Sequence, residues 1–67
     1  MIRHTVSSRA ISSIGYDKNS MQMEIVFTSS GRAYTFCGVP LQVFQSFLNA
    51  SSKGSFYHQN IKDRYQC

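Results

Sequence analysis

Met21, Met23, Ile25 and Phe27 fall on one side of the segment from 21 to 28, and Gln22, Glu24, Val26 and Thr28 fall on the other. A period of two marks a strand with one buried face. Ser29-Ser30-Gly31 interrupts it with turn composition, and Arg32-Ala33-Tyr34-Thr35-Phe36-Cys37 then alternates again. With Ser30-Gly31 as the turn, Phe27 stands opposite Tyr34 and Ile25 opposite Phe36, all on one face. A slip of one residue would send both rings to the other face. Each such cross-strand pair contributes about 0.2–1 kcal/mol. The hairpin from 21 to 37 is therefore the element that the rest of the chain is expected to cover.

The greasy face extends backwards. Arg9 to Tyr16 holds Ile11, Ile14 and Tyr16, and Asp17-Lys18-Asn19-Ser20 has turn composition. A turn centred on Lys18-Asn19 sets Tyr16 opposite Met21 and Ile14 opposite Met23. Ile11 then falls on the outer face beside Val26. Residues 1 to 8 are polar and read as a loose or edge-like segment. Forwards, Gly38-Val39-Pro40 ends the sheet, and Pro40 suits the first turn of a helix. From Leu41 to Ala50 the apolar period changes to 3.6. Leu41, Val43, Phe44, Phe47 and Leu48 occupy an arc of about 160°, with Gln42, Gln45, Ser46 and Asn49 opposite. Ser51-Ser52-Lys53-Gly54 reads as a helix exit with Gly54 as a left-handed stop. Tyr57, Ile61 and Tyr65 are spaced by four and predict a short second helix over 57–64. The expected fold is α+β: a three-stranded antiparallel β-meander with one long and one short C-terminal helix packed on one face.

With 67 residues the chain is one domain, residues 1–67, with 1–8 flexible. A domain of this size buries only about 60% of its unfolded surface. The longest unbroken apolar run is Ile25 to Phe27, which predicts neither a signal peptide nor a transmembrane segment. There are two cysteines, Cys37 and Cys67, the second at the very end. A terminal cysteine is expected to be mobile and unpaired, which points to a reducing, cytoplasmic setting. Seven Lys/Arg against three Asp/Glu give a net charge of +4. That excess favours an acidic partner, either nucleic acid or an acidic protein surface.

Several short segments together resemble the KTSC domain, a small module that stands alone in bacterial and phage proteins and follows the catalytic part of some lysyl-tRNA synthetases. Ser8 to Tyr16 resembles its Ser-rich opening strand, with Ile14-Gly15-Tyr16-Asp17 at the Gly-Tyr-Asp turn. Tyr34-Thr35-Phe36 stands at its Tyr-x-Tyr motif, with Phe36 replacing the second Tyr. Val39-Pro40 resembles the Val-Pro helix start, Ala50-Ser51-Ser52-Lys53-Gly54 the Ala-x-Ser-x-Gly segment, and Phe56 with Ile61 the tail. The resemblance implies this α+β fold and suggests RNA binding.

The candidate chemistry is binding rather than catalysis. Asp17, Glu24 and Asp63 are scattered, and no Ser-His-Asp or Cys-His-Asp set is suggested by position. His4, His58, Cys37 and Cys67 lack metal-site spacing, so neither metal nor cofactor is expected. Tyr34 and Phe36 share the face that the helix must cover, so both are expected in the core rather than as a stacking platform for bases. Ser51-Ser52-Lys53-Gly54 lacks the full phosphate-loop spacing and reads as a loop. The C-terminal third is the better binding candidate, because cations interleave with rings there. Lys53, Lys62, Arg64 and Arg32 would hold phosphates of tRNA or single-stranded RNA, and Tyr57 or Tyr65 would stack on bases. The alternative is a protein-binding regulator, a small phage or bacterial factor that docks on and modulates a host enzyme. Its contacts would be Ile11, Val26 and Arg9 on the outer sheet face, or an open edge strand. No membrane partner is implied.

Overall fold

The computed structural model describes residues 1–67. Four strands, β1 (Ile2–Thr5), β2 (Ile11–Asp17), β3 (Gln22–Phe27) and β4 (Ala33–Phe36), pair antiparallel in chain order. Helix α1 (Leu41–Asn49) and helix α2 (Lys53–Phe56) follow, and α2 runs into a π-helical turn over Tyr57–Ile61. The sheet thus has four strands, not three. Residues 2–5, read as loose or edge-like, add an edge strand with Ile2 paired to Tyr16 and His4 to Ile14. Every residue of β1 is exposed, so the alternation that betrays the other strands in the sequence has no burial to express there.

Both hairpins are one pair wider than expected. Tyr16 pairs with Met23 and Ile14 with Ile25, leaving Lys18–Met21 as the turn. Met21 sits in that turn at φ 59° and is 40% exposed rather than buried with the inner face. Likewise Met23 pairs with Phe36 and Ile25 with Tyr34. A shift of two residues preserves the side-chain parity, so the face assignments survive although the partners change.

Ile11 is the exception. Its expected place on the outer face is overturned: it is fully buried. Ile11 pairs with Phe27 while Ser13 pairs with the adjacent Val26, so the ladder is irregular between them. The extra residue, Ser12, is a β-bulge, and a bulge switches the facing of everything beyond it. Ile11 therefore joins Ile14, Tyr16, Met23, Ile25 and Phe36 on the inner face.

Phe44 and Phe47 of α1, with Ile61 and Val39, close that core. Phe44 stacks on Tyr16 with ring centroids 4.7 Å apart, and Phe47 stacks on Phe56 at 5.3 Å. Leu41, expected on the buried stripe, is instead exposed at the start of α1. The Tyr16 hydroxyl donates to the Val39 carbonyl at 2.6 Å, and the Val39 N–H donates to the Met21 carbonyl at 2.9 Å. Both polar groups of this buried residue are thus satisfied, and the turn from β4 into α1 is pinned to the first hairpin.

Helix α1 ends at Asn49 without a glycine stop. Ala50 turns to extended backbone, and its carbonyl accepts the Lys53 ammonium at 2.9 Å. Gly54, expected to stop a helix, lies inside α2. The second helical element therefore starts and ends earlier than 57–64. Lys62 leaves helical backbone with ψ 128°, and Asp63 adopts φ 64°.

Cys37 and Cys67 are joined by a disulfide across a sequence separation of 30, with Cα atoms 4.8 Å apart. This corrects the expectation of two free thiols. The C-terminus is not loose, because the Cys37 N–H donates to the Tyr65 carbonyl at 2.8 Å and the last residues lie beside β4. Cysteine usage thus no longer argues for a reducing compartment. No helix is long and apolar enough to cross a membrane.

Candidate functional site

The β3–β4 loop and the π-helical turn stand side by side at one end of the inner face. Widening the hairpin by one pair moves Tyr34 beyond the cover of α1. Phe36 is buried as expected, but Tyr34 is 45% exposed and leaves the core. Its ring meets the edge of Phe27 at 5.5 Å, and Phe27 meets Tyr57 at 5.1 Å. Tyr57 in turn contacts the His58 ring at 5.4 Å. The four rings and Lys62 line a recess of about 430 Å³, with Ser29 and Ser30 on the loop side. Burial pushes the Tyr57 hydroxyl above its usual pKa, and the Asp63 carboxylate and Tyr34 add to the rise. At neutral pH its hydroxyl is therefore a neutral donor at the rim.

The expected cations do not gather into one surface. Lys62 stands in the aromatic recess, and Arg32 lies on the loop that forms one wall, with its N–H on Ser30 Oγ at 3.2 Å. Arg64 and Tyr65 line a separate depression with Gln42, Val43 and Asn60. Lys53 belongs to a third, beside Arg9. The outer-face patch of Ile11, Val26 and Arg9 does not form. Ile11 is core, Val26 is half-buried on the outer face, and Arg9 borders the serine-rich segment before β2.

The three acids are engaged locally. Arg3 pairs with Glu24 across Gly15, the one ion pair of the molecule. Gly15 leaves room for it, since a Cβ there would meet the Arg3 and Met1 side chains. Asp17 accepts the Asn19 N–H within its own turn, which lowers its pKa. Asp63 accepts the Gln66 amide at 3.3 Å. Phe27 and the Ser29-Ser30 wall were not legible as site residues, because the two-residue turn assigned to the hairpin hid the recess. An odd feature in the sequence, two successive serines before Gly31, was the available sign of a longer loop.

Fold and surface together define a small basic α+β domain: a four-stranded meander covered on one face by helices, with an aromatic recess at one end. The KTSC domain model matches residues 7–65, and the chain belongs to that family. It is similar to a KTSC domain protein from Yersinia pestis whose crystal structure superposes with a TM-score of 0.92 at 42% identity, covering 98% of this chain and 92% of that one. An uncharacterized protein of Stutzerimonas stutzeri is 35% identical over 97% of this chain and 90% of its own length. A protein of Tsukamurella paurometabola is 36% identical over 91% of this chain and 90% of its own length.

Proposed function

We propose that this chain is a non-catalytic module that binds single-stranded RNA through the recess between the β3–β4 loop and the π-helical turn. The observation that carries the reading is the half-exposed Tyr34 ring facing the same recess as Tyr57, His58 and Lys62. A flat base stacks on such rings for about 1–3 kcal/mol, whatever its identity, while nearby cations draw the phosphates. Lys62 and Arg32 take that role here, and Arg64 with Tyr65 lie outside the recess as a separate contact.

An NMR titration of the labelled protein with a short oligouridylate and with total tRNA tests this. Shifts should cluster on Phe27–Tyr34 and Tyr57–Lys62 and fade with salt. For two or three phosphate contacts the slope of log K against log[salt] is about −1.5 to −2. Tyr34→Ala should weaken binding by about 1–3 kcal/mol. Absence of binding at low salt, or shifts confined to the outer sheet face, rejects the reading. The protein-docking alternative has lost its apolar patch with the burial of Ile11.

A further inference from the structure

A second depression adjoins the aromatic recess. Ser7-Ser8-Arg9-Ala10, leading into β2, and Ser51-Ser52-Lys53-Gly54, leading into and opening α2, surround a space of about 300 Å³. Residues over forty positions apart thus bring together two copies of one plan: two serines, a cation, a small residue. The two segments meet at their small residues, where a Cβ on Gly54 would lie in van der Waals contact with Ala10 Cβ, 3.4 Å away. Ala10 and Gly54 also border the aromatic recess, so the two spaces share a wall.

The lining carries two cations, Arg9 and Lys53, with four serines and no carboxylate. Arg9 takes no part in an ion pair, because the single one joins Arg3 and Glu24. Lys53 gives one hydrogen bond to the Ala50 carbonyl, which holds the ammonium in place and leaves two of its three donors unused. Ser8 Oγ accepts the N–H groups of Ala10 and Ile11 at 3.3 and 3.4 Å. Its hydroxyl proton is left free to donate. Ser52 is fixed by a hydrogen bond to Ser55 at 3.0 Å.

We infer that these two loops form a binding site for a phosphate monoester. A monoester carries about −1.5 to −2 at neutral pH, which two cations neutralise, whereas a phosphodiester carries a single charge. The inference rests on the RNA reading for one point, the identity of the ligand. A terminal nucleotide whose base lies against Tyr34 and Tyr57 would set its end phosphate across the shared wall of Ala10 and Gly54. The module would then prefer RNA ends bearing a phosphate over hydroxyl ends.

The test compares one short oligouridylate in three forms, with a 5′-phosphate, with a 3′-phosphate and with neither, alongside uridine monophosphate and inorganic phosphate. Affinity is read by anisotropy and the site by amide shifts of Ser7–Ala10 and Ser51–Gly54. One phosphorylated form should bind about tenfold or more tightly than the hydroxyl form, with shifts in both loops. Arg9→Gln, at an exposed position, should collapse that difference. Equal affinity for all three forms overturns the phosphate site and leaves the RNA reading standing. Binding of uridine monophosphate or inorganic phosphate in both loops without any oligonucleotide binding keeps the site and rejects the RNA reading. No binding of any probe overturns both.

Discussion

Two tyrosines show how differently one side chain is used. Tyr16 is buried, its ring stacked on Phe44 and its hydroxyl on the Val39 carbonyl. Tyr16→Phe keeps the stack and strips a buried carbonyl of its donor, which costs about 1–2 kcal/mol. The urea midpoint should fall by that loss divided by the slope, with the slope itself unchanged, and an unmoved midpoint would show that water replaces the hydroxyl. Tyr57 is tuned by its surroundings: burial first, then Asp63 and Tyr34, raise its pKa in the folded state. A group whose folded pKa is raised holds its proton more tightly when native. Its stabilising contribution is complete below the unfolded value of about 10 and is lost as pH climbs through the folded value. Ultraviolet titration should therefore find a tyrosine that ionises later than the exposed ones, and stability should decline above about pH 10. Tyr57→Phe should remove the late-titrating group and flatten the decline. If the decline persists in that variant, another group is responsible for it.

Elements were legible in proportion to how regular they are. Period-two alternation placed Ile14, Tyr16, Met23, Ile25 and Phe36 on one face, and all five are buried. It placed Ile11 wrongly, because alternation carries no mark of the one extra residue in a bulge. The partners within each hairpin shifted by two, since turn composition around Ser30-Gly31 and Lys18-Asn19 does not reveal loop length. The second helix was expected, but its start was misplaced for a related reason. Gly54 reads as a stop, yet it lies inside α2, beside Ala10. The misplaced Ile11 gives a sharp contrast with Val26, its expected neighbour on the outer face. Ile11→Ala empties a fully buried site and should cost about 2–5 kcal/mol. Val26→Ala, at a half-buried position on the open face of the sheet, should cost less than about 1.5 kcal/mol. Chemical denaturation of the two variants decides the matter, and comparable losses would place Ile11 back in solvent.

At the scale of the whole molecule the disulfide changes the account most. The sequence shows two cysteines but not that residues 65–67 run beside β4, because pairing across thirty residues is a property of the fold and not of local spacing. The same limit applied to the candidate site. The cations of the C-terminal third were visible, but their division among three depressions depends on how β4, α1 and the π-helical turn pack. The aromatic recess became visible only once the hairpin register was known. Marginal size gives the crosslink its weight. A chain of this length is stable by roughly 3–10 kcal/mol, and closing a loop of thirty residues removes unfolded-state entropy worth about 3–4 kcal/mol. The bond between Cys37 and Cys67 therefore supplies a large share of the total. For a domain this small each kcal/mol moves Tm by about 4–8 °C, so reduction should lower Tm by roughly 12–32 °C. Cys67→Ser should match the reduced protein and show no further response to reductant, because the same loop is opened in both. Thermal unfolding of both proteins with and without a thiol measures this directly. Unchanged melting on reduction would mean that the packing of Tyr65 and its carbonyl bond to Cys37, not the crosslink, hold the C-terminus against the sheet.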